Sequence, residues 1–370
     1  MSTKEKVLEL LFHAFYSEDD DEKIVSGEKL ASECEVSRAA VWKAINALRT
    51  EGYSIEGTTN GGYRFSDDDV FTKEAFTQII AHNYPELSNS NIEVFKEIDS
   101  TNTYAKRILS ECGSLRNPDG TLTQAGEKHH CAVITAESQT AGRGRLGRTF
   151  VSPAKTGIYL SIIFAPEGGI TNPAKLTAFT AVAVCRAIKT LYGIEPSIKW
   201  INDLYLNGKK ICGILAEGFT NFETGMIESA VIGIGINIRD NDAFAKADIA
   251  KIAGSITGTS HSDSTNCSDD SEYVDEKTNP TRCELAACVA SNVIKIMEEP
   301  TEAVMKEYKD ASFLIGKTLT VHPLAGSDKD KYSAVAVDID DNAALIVELV
   351  DGTRKALSSG EVTLHNTQLK

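Results

Sequence analysis

Three glycines and three arginines interleave in Gly142-Arg143-Gly144-Arg145-Leu146-Gly147-Arg148, shortly after the apolar run Ala132 to Thr135. Arginine carries a permanent, planar charge whose donors match carboxylate and phosphate oxygens. Glycine lets a backbone pass close to a ligand and turn through positive φ. A segment of this kind suits a small polyanion. Two other anion-binding motifs share its letters and fail on context. Gly142, Gly144 and Gly147 spell the dinucleotide fingerprint, which requires a helix to open at the glycines. Here Arg148-Thr149-Phe150-Val151-Ser152-Pro153 follows, an extended stretch stopped by proline. The P-loop pattern fits only Gly316-Lys317-Thr318, where the required earlier glycine is Ala311.

Other chemically capable groups stand in short motifs. Asp99-Ser100-Thr101-Asn102 closes an apolar run beginning at Ile92. Lys199-Trp200-Ile201-Asn202-Asp203 precedes Lys209-Lys210-Ile211-Cys212-Gly213-Ile214-Leu215, and Ile232-Gly233-Ile234-Gly235-Ile236-Asn237 follows. Each has a plainer alternative. Ser100, Thr101 and Asn102 are residues that cap helices, Asp203 fits a strand-end turn, Lys210 fits a surface lysine beside Lys209, and Gly213 and Gly235 fit close packing.

Taken together and in this order, the motifs resemble those of the biotin–protein ligases. GRGRLGR is similar to that family's arginine loop, KWIND to its KWPND motif, KKICGIL to its lysine-bearing strand and IGIGIN to its GxGxN strand. Ile201 stands where the family has proline, Phe150 where tryptophan is usual, and His365 where a late arginine occurs; Glu361 matches a family acid. The resemblance implies an ATP-dependent enzyme that makes biotinyl-5′-AMP and passes biotin to a lysine of a biotin carboxyl carrier protein. It implies ATP with Mg²⁺, biotin as substrate, and a homodimer. Lys210, Arg143, Arg145 and Asp203 would be catalytic. Ser100, Thr101, Asn102, Gln139, Arg143, Gly144, Arg145, Lys210, Gly213 and Gly235 would bind biotin. Arg145, Arg148, Asn202, Lys210 and Asn237 would bind ATP. Two other functions fit: a lipoate–protein ligase on the same fold, and a biotin-sensing transcription factor without ligase activity.

The elements that must position these groups imply an α+β multidomain chain. Residues 1–66 read as a winged helix-turn-helix. A helix from Glu28 to Cys34 and a short turn lead to Ser37, a good N-cap. The helix Arg38–Thr50 then puts Val41, Ile45 and Leu48 on one stripe. That helix contains no acid, so Ser37, Arg38, Lys43, Asn46 and Arg49 are candidates for operator DNA. Against this, residues 1–66 carry eight Lys/Arg and twelve Asp/Glu, so any DNA contact must come from a local face. GYSIEGTTNGGYRF alternates like a hairpin turning at Asn60-Gly61, which is the wing. Residues 67–91 read as a helix (Thr72 to His82) and linker. Residues 92–314 form the ligase domain, which the resemblance makes a mixed sheet like that of class II aminoacyl-tRNA synthetases. Residues 315–370 are short strands with turns such as Ala325-Gly326-Ser327, read as a small SH3-like β-barrel.

Composition bounds the rest. The chain has 370 residues, a formal net charge of −15 and eight cysteines, none in a CxxC pair. The acidity opposes indiscriminate nucleic-acid binding, and so long a chain with few cysteines is not a disulfide scaffold. Cys283 and Cys288 read as helix-borne packing residues. The first residues lack the marks of a signal peptide and no apolar run reaches a membrane span, which predicts a cytoplasmic protein. Residues 258–281 are almost entirely polar and read as a surface insertion. Residues 112–129 also look longer than the family's pattern.

Overall fold

The computed structural model describes residues 2–15, 17, 22–57, 62–65, 69–220, 225–241, 243–244, 249, 251–257, 280–323 and 331–364. The Asn60-Gly61 turn, the Ala325-Gly326-Ser327 turn, His365 and nearly all of the 258–281 insertion lie outside the described residues. The chain divides into two compact units, residues 1–88 with 271–284, and residues 89–270 with 285–370.

The first unit contains α1 (Thr3–Phe15), β1 (Ile24–Ser26), α2 (Gly27–Glu33), α3 (Arg38–Thr50), β2 (Ile55–Gly57), β3 (Gly62–Phe65) and α4 (Lys73–Asn83). The α3 span matches the periodicity, and Val41, Ile45 and Leu48 are its buried stripe. Ser37 Oγ accepts from the Ala40 amide and so caps α3 as expected. Thr72 does the same for α4. The wing hairpin pairs β2 antiparallel to β3, and β1, which periodicity did not reveal, adds on the far side of β3. Phe12, Phe15 and Tyr53 gather around Phe65 to fill the core. Farther along the chain, Arg282 returns to this unit, 2% exposed, with Nε 2.6 Å from Asp69 Oδ2.

The second unit holds a seven-stranded mixed sheet in the order β4-β5-β6-β10-β9-β8-β7. Its strands are β4 (Ile92–Phe95), β5 (Val133–Ala136), β6 (Gly157–Phe164), β7 (Ser197–Lys199), β8 (Asp203–Leu206), β9 (Lys209–Thr220) and β10 (Ile227–Asn237). Only the β4–β5 pair is parallel. Every residue of β10 from Ser229 to Asn237 is buried, which requires cover on both faces of the sheet. On one face, α5 (Thr101–Cys112) sets Ala105 and Leu109 against Ile134, Ile163 and Val231. α7 (Pro173–Tyr192) packs on β8 and β9, and Asn292 on α8 (Arg282–Ile296) donates to the Ala183 carbonyl on α7. Cys283 and Cys288 are buried on α8, consistent with packing. α9 (Thr301–Ala311) is tied to α7 where Arg186 reaches Glu307 at the α9 end and Glu299 just before it, each at 2.6 Å.

The long 112–129 segment folds on itself and includes α6 (Gln124–His129). Arg116 donates to the Ala165 and Gly120 carbonyls, and Thr123 caps α6. The carboxy-terminal strands β11 (Thr318–His322), β12 (Tyr332–Ile339), β13 (Leu345–Glu348), β14 (Arg354–Leu357) and β15 (Glu361–Leu364) form one antiparallel sheet in the order β14-β13-β12-β11-β15. The region read as a small barrel is thus a five-stranded sheet among the described residues. No helix among them is long and apolar enough to cross a membrane.

Candidate functional site

Register brings the motifs together. Along β10, Gly233 lies opposite Ser161 of β6 and Leu215 of β9, and Gly235 opposite Tyr159 and Gly213. Side chains alternate across a sheet, so these positions share one face. The amino end of α5 sits over them. A cleft there is lined by Ser100, Asn102, Arg143, Phe150, Gly213 and Gly235, among others. Its free volume is about 30 Å³, enough for very few waters, each of which needs about 10–15 Å³.

Thr101, Asn102, Gln139, Ser152 and Ser161 form one connected network, and Ser100 stands beside it as a helix cap. Ser100 Oγ caps α5 by accepting from the Thr103 amide, 3.4 Å. The Thr101 amide and hydroxyl both donate to Gln139 Oε1, at 2.9 and 3.2 Å, and Gln139 Nε2 donates to Ser152 Oγ. Asn102 Nδ2 donates to Glu217 Oε2 (3.0 Å) and the Leu215 carbonyl (3.3 Å). The Ser161 hydroxyl lies 2.6 Å from Asn102 Oδ1 and 2.7 Å from Thr101 Oγ1. Ser100 and Asn102 therefore do cap or brace structure, and they also line the cleft.

The glycines explain themselves by what they admit. A Cβ on Gly233 would stand 2.2 Å from Asn102 Oδ1, and one on Gly235 2.5 Å from the Phe150 ring. A Cβ on Gly213 would meet Lys210 Nζ at 3.2 Å and the Phe150 ring at 3.4 Å. The close approach expected at Gly213 and Gly235 is made by side chains of this chain.

The arginine segment is a tight hairpin. Phe150 N–H donates to the Gly142 carbonyl and Gly144 N–H to the Arg148 carbonyl. Leu146 and Gly147 turn through positive φ, 55° and 74°. Its three arginines point to four partners. Arg143 Nη2 is 3.4 Å from Glu217 Oε1. Arg145 donates to Asn202 Oδ1 (2.7 Å) and the Gly360 carbonyl (3.0 Å). Arg148 makes a two-pronged pair with Glu361, 2.6 and 2.7 Å. Burial works to raise the Glu361 pKa, and Arg148 more than offsets it, holding the carboxyl below its ordinary range.

Lys210 Nζ lies 2.6 Å from Asp203 Oδ1, reaching along the β8–β9 pair, in which Lys210 faces Tyr205 and Asp203 faces Gly213. Its backbone pairs with the segment after β10, donating to the Ile252 carbonyl and accepting from Gly254 N–H. Asn237 Nδ2 donates to the Gly254 carbonyl, so Asn237 holds the same segment. Asn202 Nδ2 donates to the Ile214 carbonyl. Lys199, absent from the sequence candidates, is near this group, and burial pushes its pKa down. Among the described residues no group of three or more His, Cys, Asp or Glu is placed to hold a metal ion. Glu217 was also missed. Its signal was parity: it follows Gly213 and Leu215 at steps of two on β9.

In the first unit Ser37, Arg38 and Lys43 are exposed on or before α3, and Asn46 is half-buried. Arg49 is exposed as well, but its guanidinium is engaged, donating from Nε and Nη2 to the Ile55 carbonyl at 2.8 and 2.6 Å, which ties α3 to β2. Trp42, passed over in the sequence, is 58% exposed on the same helix.

Three family models match the chain. The Biotin/lipoate A/B protein ligase family covers residues 114–237, an HTH domain covers 17–64, and the Biotin protein ligase C terminal domain covers 325–364. The bifunctional ligase/repressor BirA of Bacillus subtilis is 28% identical over 339 residues, 91% of this chain and 93% of that protein. The Escherichia coli protein of the same name is 32% identical over 213 residues, 58% of this chain and 59% of that protein. The biotin protein ligase of Aquifex aeolicus, solved with biotin and ATP, superposes with a TM-score of 0.55 at 22% identity, covering 75% of this chain and 99% of that one.

Proposed function

Because the chain belongs to the biotin protein ligase family, in the ligase/repressor form that carries an amino-terminal HTH domain, we propose that it forms biotinyl-5′-AMP from biotin and ATP and transfers biotin to a lysine of a biotin carboxyl carrier protein, and that it represses transcription in response to biotin. The observation that carries the ligase reading is that a cleft lined by neutral hydroxyls and amides also takes in Arg143 of the arginine hairpin and Gly213, beside which Lys210 stands paired with Asp203.

A carboxylate is a poor acyl donor. Attack of a biotin carboxylate oxygen on the α-phosphorus of ATP releases pyrophosphate and leaves a mixed anhydride. Both reactants are anions, so the barrier is mainly charge repulsion and alignment. Lys210 sits between carboxylate and α-phosphate and draws them together. Arg143 and Arg145 cover the acyl phosphate, and Arg148 exchanges Glu361 for the outer phosphates. Asn202 orients Arg145, and Asn237 acts on the nucleotide side through the 254–257 segment it holds. The uncharged ureido ring takes its bonds from Ser100, Thr101, Asn102 and Gln139. Gly144 keeps the hairpin close, while Gly213 and Gly235 give a floor from which the Phe150 ring must move for biotin to enter. In the second step the carrier lysine attacks the acyl carbon and AMP leaves; Asp203 helps remove the lysine's proton.

Side-by-side ATP–pyrophosphate exchange with biotin and with lipoate tests this. Exchange should depend on biotin, and exchange with lipoate only would overturn it. For the repressor role, the adenylate-loaded chain should select duplexes from a random DNA pool, through Arg38, Lys43 and Asn46 beside the Ser37 cap, with Arg49 bracing the wing. Arg38→Ala with Lys43→Ala should weaken binding and flatten its salt dependence. An unchanged salt slope would remove α3 from the interface. A homodimer fits the same reading.

A further inference from the structure

We propose that Glu217 is a positioning residue: one carboxylate that fixes both the Asn102 amide inside the biotin cleft and the first arginine of the hairpin over it. The inference rests on the ligase reading above. Three donors from two elements converge on this side chain, two from α5 and one from the hairpin. Lys106 Nζ of α5 lies 2.9 Å from Oε1, Arg143 Nη2 of the hairpin 3.4 Å from the same oxygen, and Asn102 Nδ2 3.0 Å from Oε2. Glu217 is on the face of β9 that carries Gly213 and Leu215, both of which line the cleft. Its place there is therefore set by strand parity.

The chemistry of the acceptor decides what it does. An ionised carboxylate can only accept, so it forces the amide nitrogen of Asn102 toward itself and turns Oδ1 toward Ser161 and Gly233. The Leu215 carbonyl accepts from the same nitrogen at a longer 3.3 Å, so the charge on Glu217 is the stronger of two acceptors that fix this end's pattern of donor and acceptor. The two cations are held unequally. The Lys106 contact is short, whereas the Arg143 contact is long for a charge-assisted bond, about 2.7–2.9 Å. Lys106 thus neutralises Glu217 while Arg143, 44% exposed, is kept above the cleft on a weak tie. An arriving carboxylate or phosphate can take Arg143 without stranding a half-buried acid. Burial works to raise the Glu217 pKa, and the donors from Lys106 and Asn102 outweigh it, so the group stays ionised in the neutral range.

The test uses the full-length chain, biotin-dependent ATP–pyrophosphate exchange, and a double-mutant cycle. Glu217→Gln should raise the KM for biotin about 10–100-fold, the worth of bonds to a charged group, with kcat nearly unchanged. In an Arg143→Ala background the same change should have a smaller effect, and likewise in an Asn102→Ala background, because the partners through which Glu217 acts are already gone. If Glu217→Gln does not fold, Glu217→Asp, which keeps the charge but withdraws it by one carbon, enters the same cycles. Unaltered KM, or effects that simply add, would overturn the inference while wild-type exchange stands. Absence of biotin-dependent exchange in the wild type would instead sink the ligase reading itself.

Discussion

Replacing Lys210 with alanine is expected to slow adenylate formation by about 10²–10³-fold, the usual cost of removing one donor aimed at charge that develops in a transition state. The KM for biotin should change far less, because the ureido-binding groups are untouched. Lys209→Ala is the internal control. Lys209 is the exposed neighbour on the same strand, whereas Lys210 Nζ stands 2.6 Å from Asp203 and 3.2 Å from the Gly213 Cβ position, at the cleft. Pyrophosphate exchange with both variants decides between a catalytic lysine and a solvated one: equal, wild-type-like rates would return Lys210 to the surface-lysine reading that the sequence left open.

The second large effect is expected from Gly233→Ala. The added methyl would come within 2.2 Å of Asn102 Oδ1 and 2.7 Å of Cγ. Asn102 cannot easily retreat. It is 4% exposed and bonded to Glu217, the Leu215 carbonyl and Ser161. Overpacking of this kind costs about 1–3 kcal/mol of stability. Displacing Asn102 should raise the KM for biotin about tenfold to a hundredfold as buried donors lose their partners. Thermal melting and exchange kinetics on Gly233→Ala and on the double variant Gly233→Ala/Asn102→Ala separate the two consequences. The double variant should regain stability, because the clash is gone, and should keep the raised KM. Recovery of both, or of neither, would show that Gly233 does not exist to admit Asn102.

How far the sequence could be read follows from the range of each interaction. The helix α3 was legible to the residue because its stripe and its Ser37 cap are local. The ligand-facing motifs were legible because each lies within a few residues on one strand or turn, and antiparallel pairing of β6, β10, β9 and β8 brings them side by side. What periodicity cannot show is pairing across long separations. Arg145 and Arg148 reach Gly360 and Glu361, more than two hundred residues away. Arg49 looks like an exposed base on a helical wheel, yet a carbonyl on β2 claims it. Gly213 and Gly235 look like ligand approaches, yet Lys210 and Phe150 fill the space they leave. Glu217 was visible by parity, but nothing local marked it as the meeting point of Lys106, Arg143 and Asn102.

The central claim is that the arginine hairpin and Lys210 together hold the biotin carboxylate against the α-phosphate. A crystal structure of the chain with biotinyl-5′-AMP tests it most directly. The account predicts Lys210 Nζ and the Arg143 and Arg145 guanidiniums within hydrogen-bonding distance of the acyl phosphate, with the Phe150 ring displaced from Gly235. Adenylate bound in the cleft with those three cations turned away from it would contradict the account.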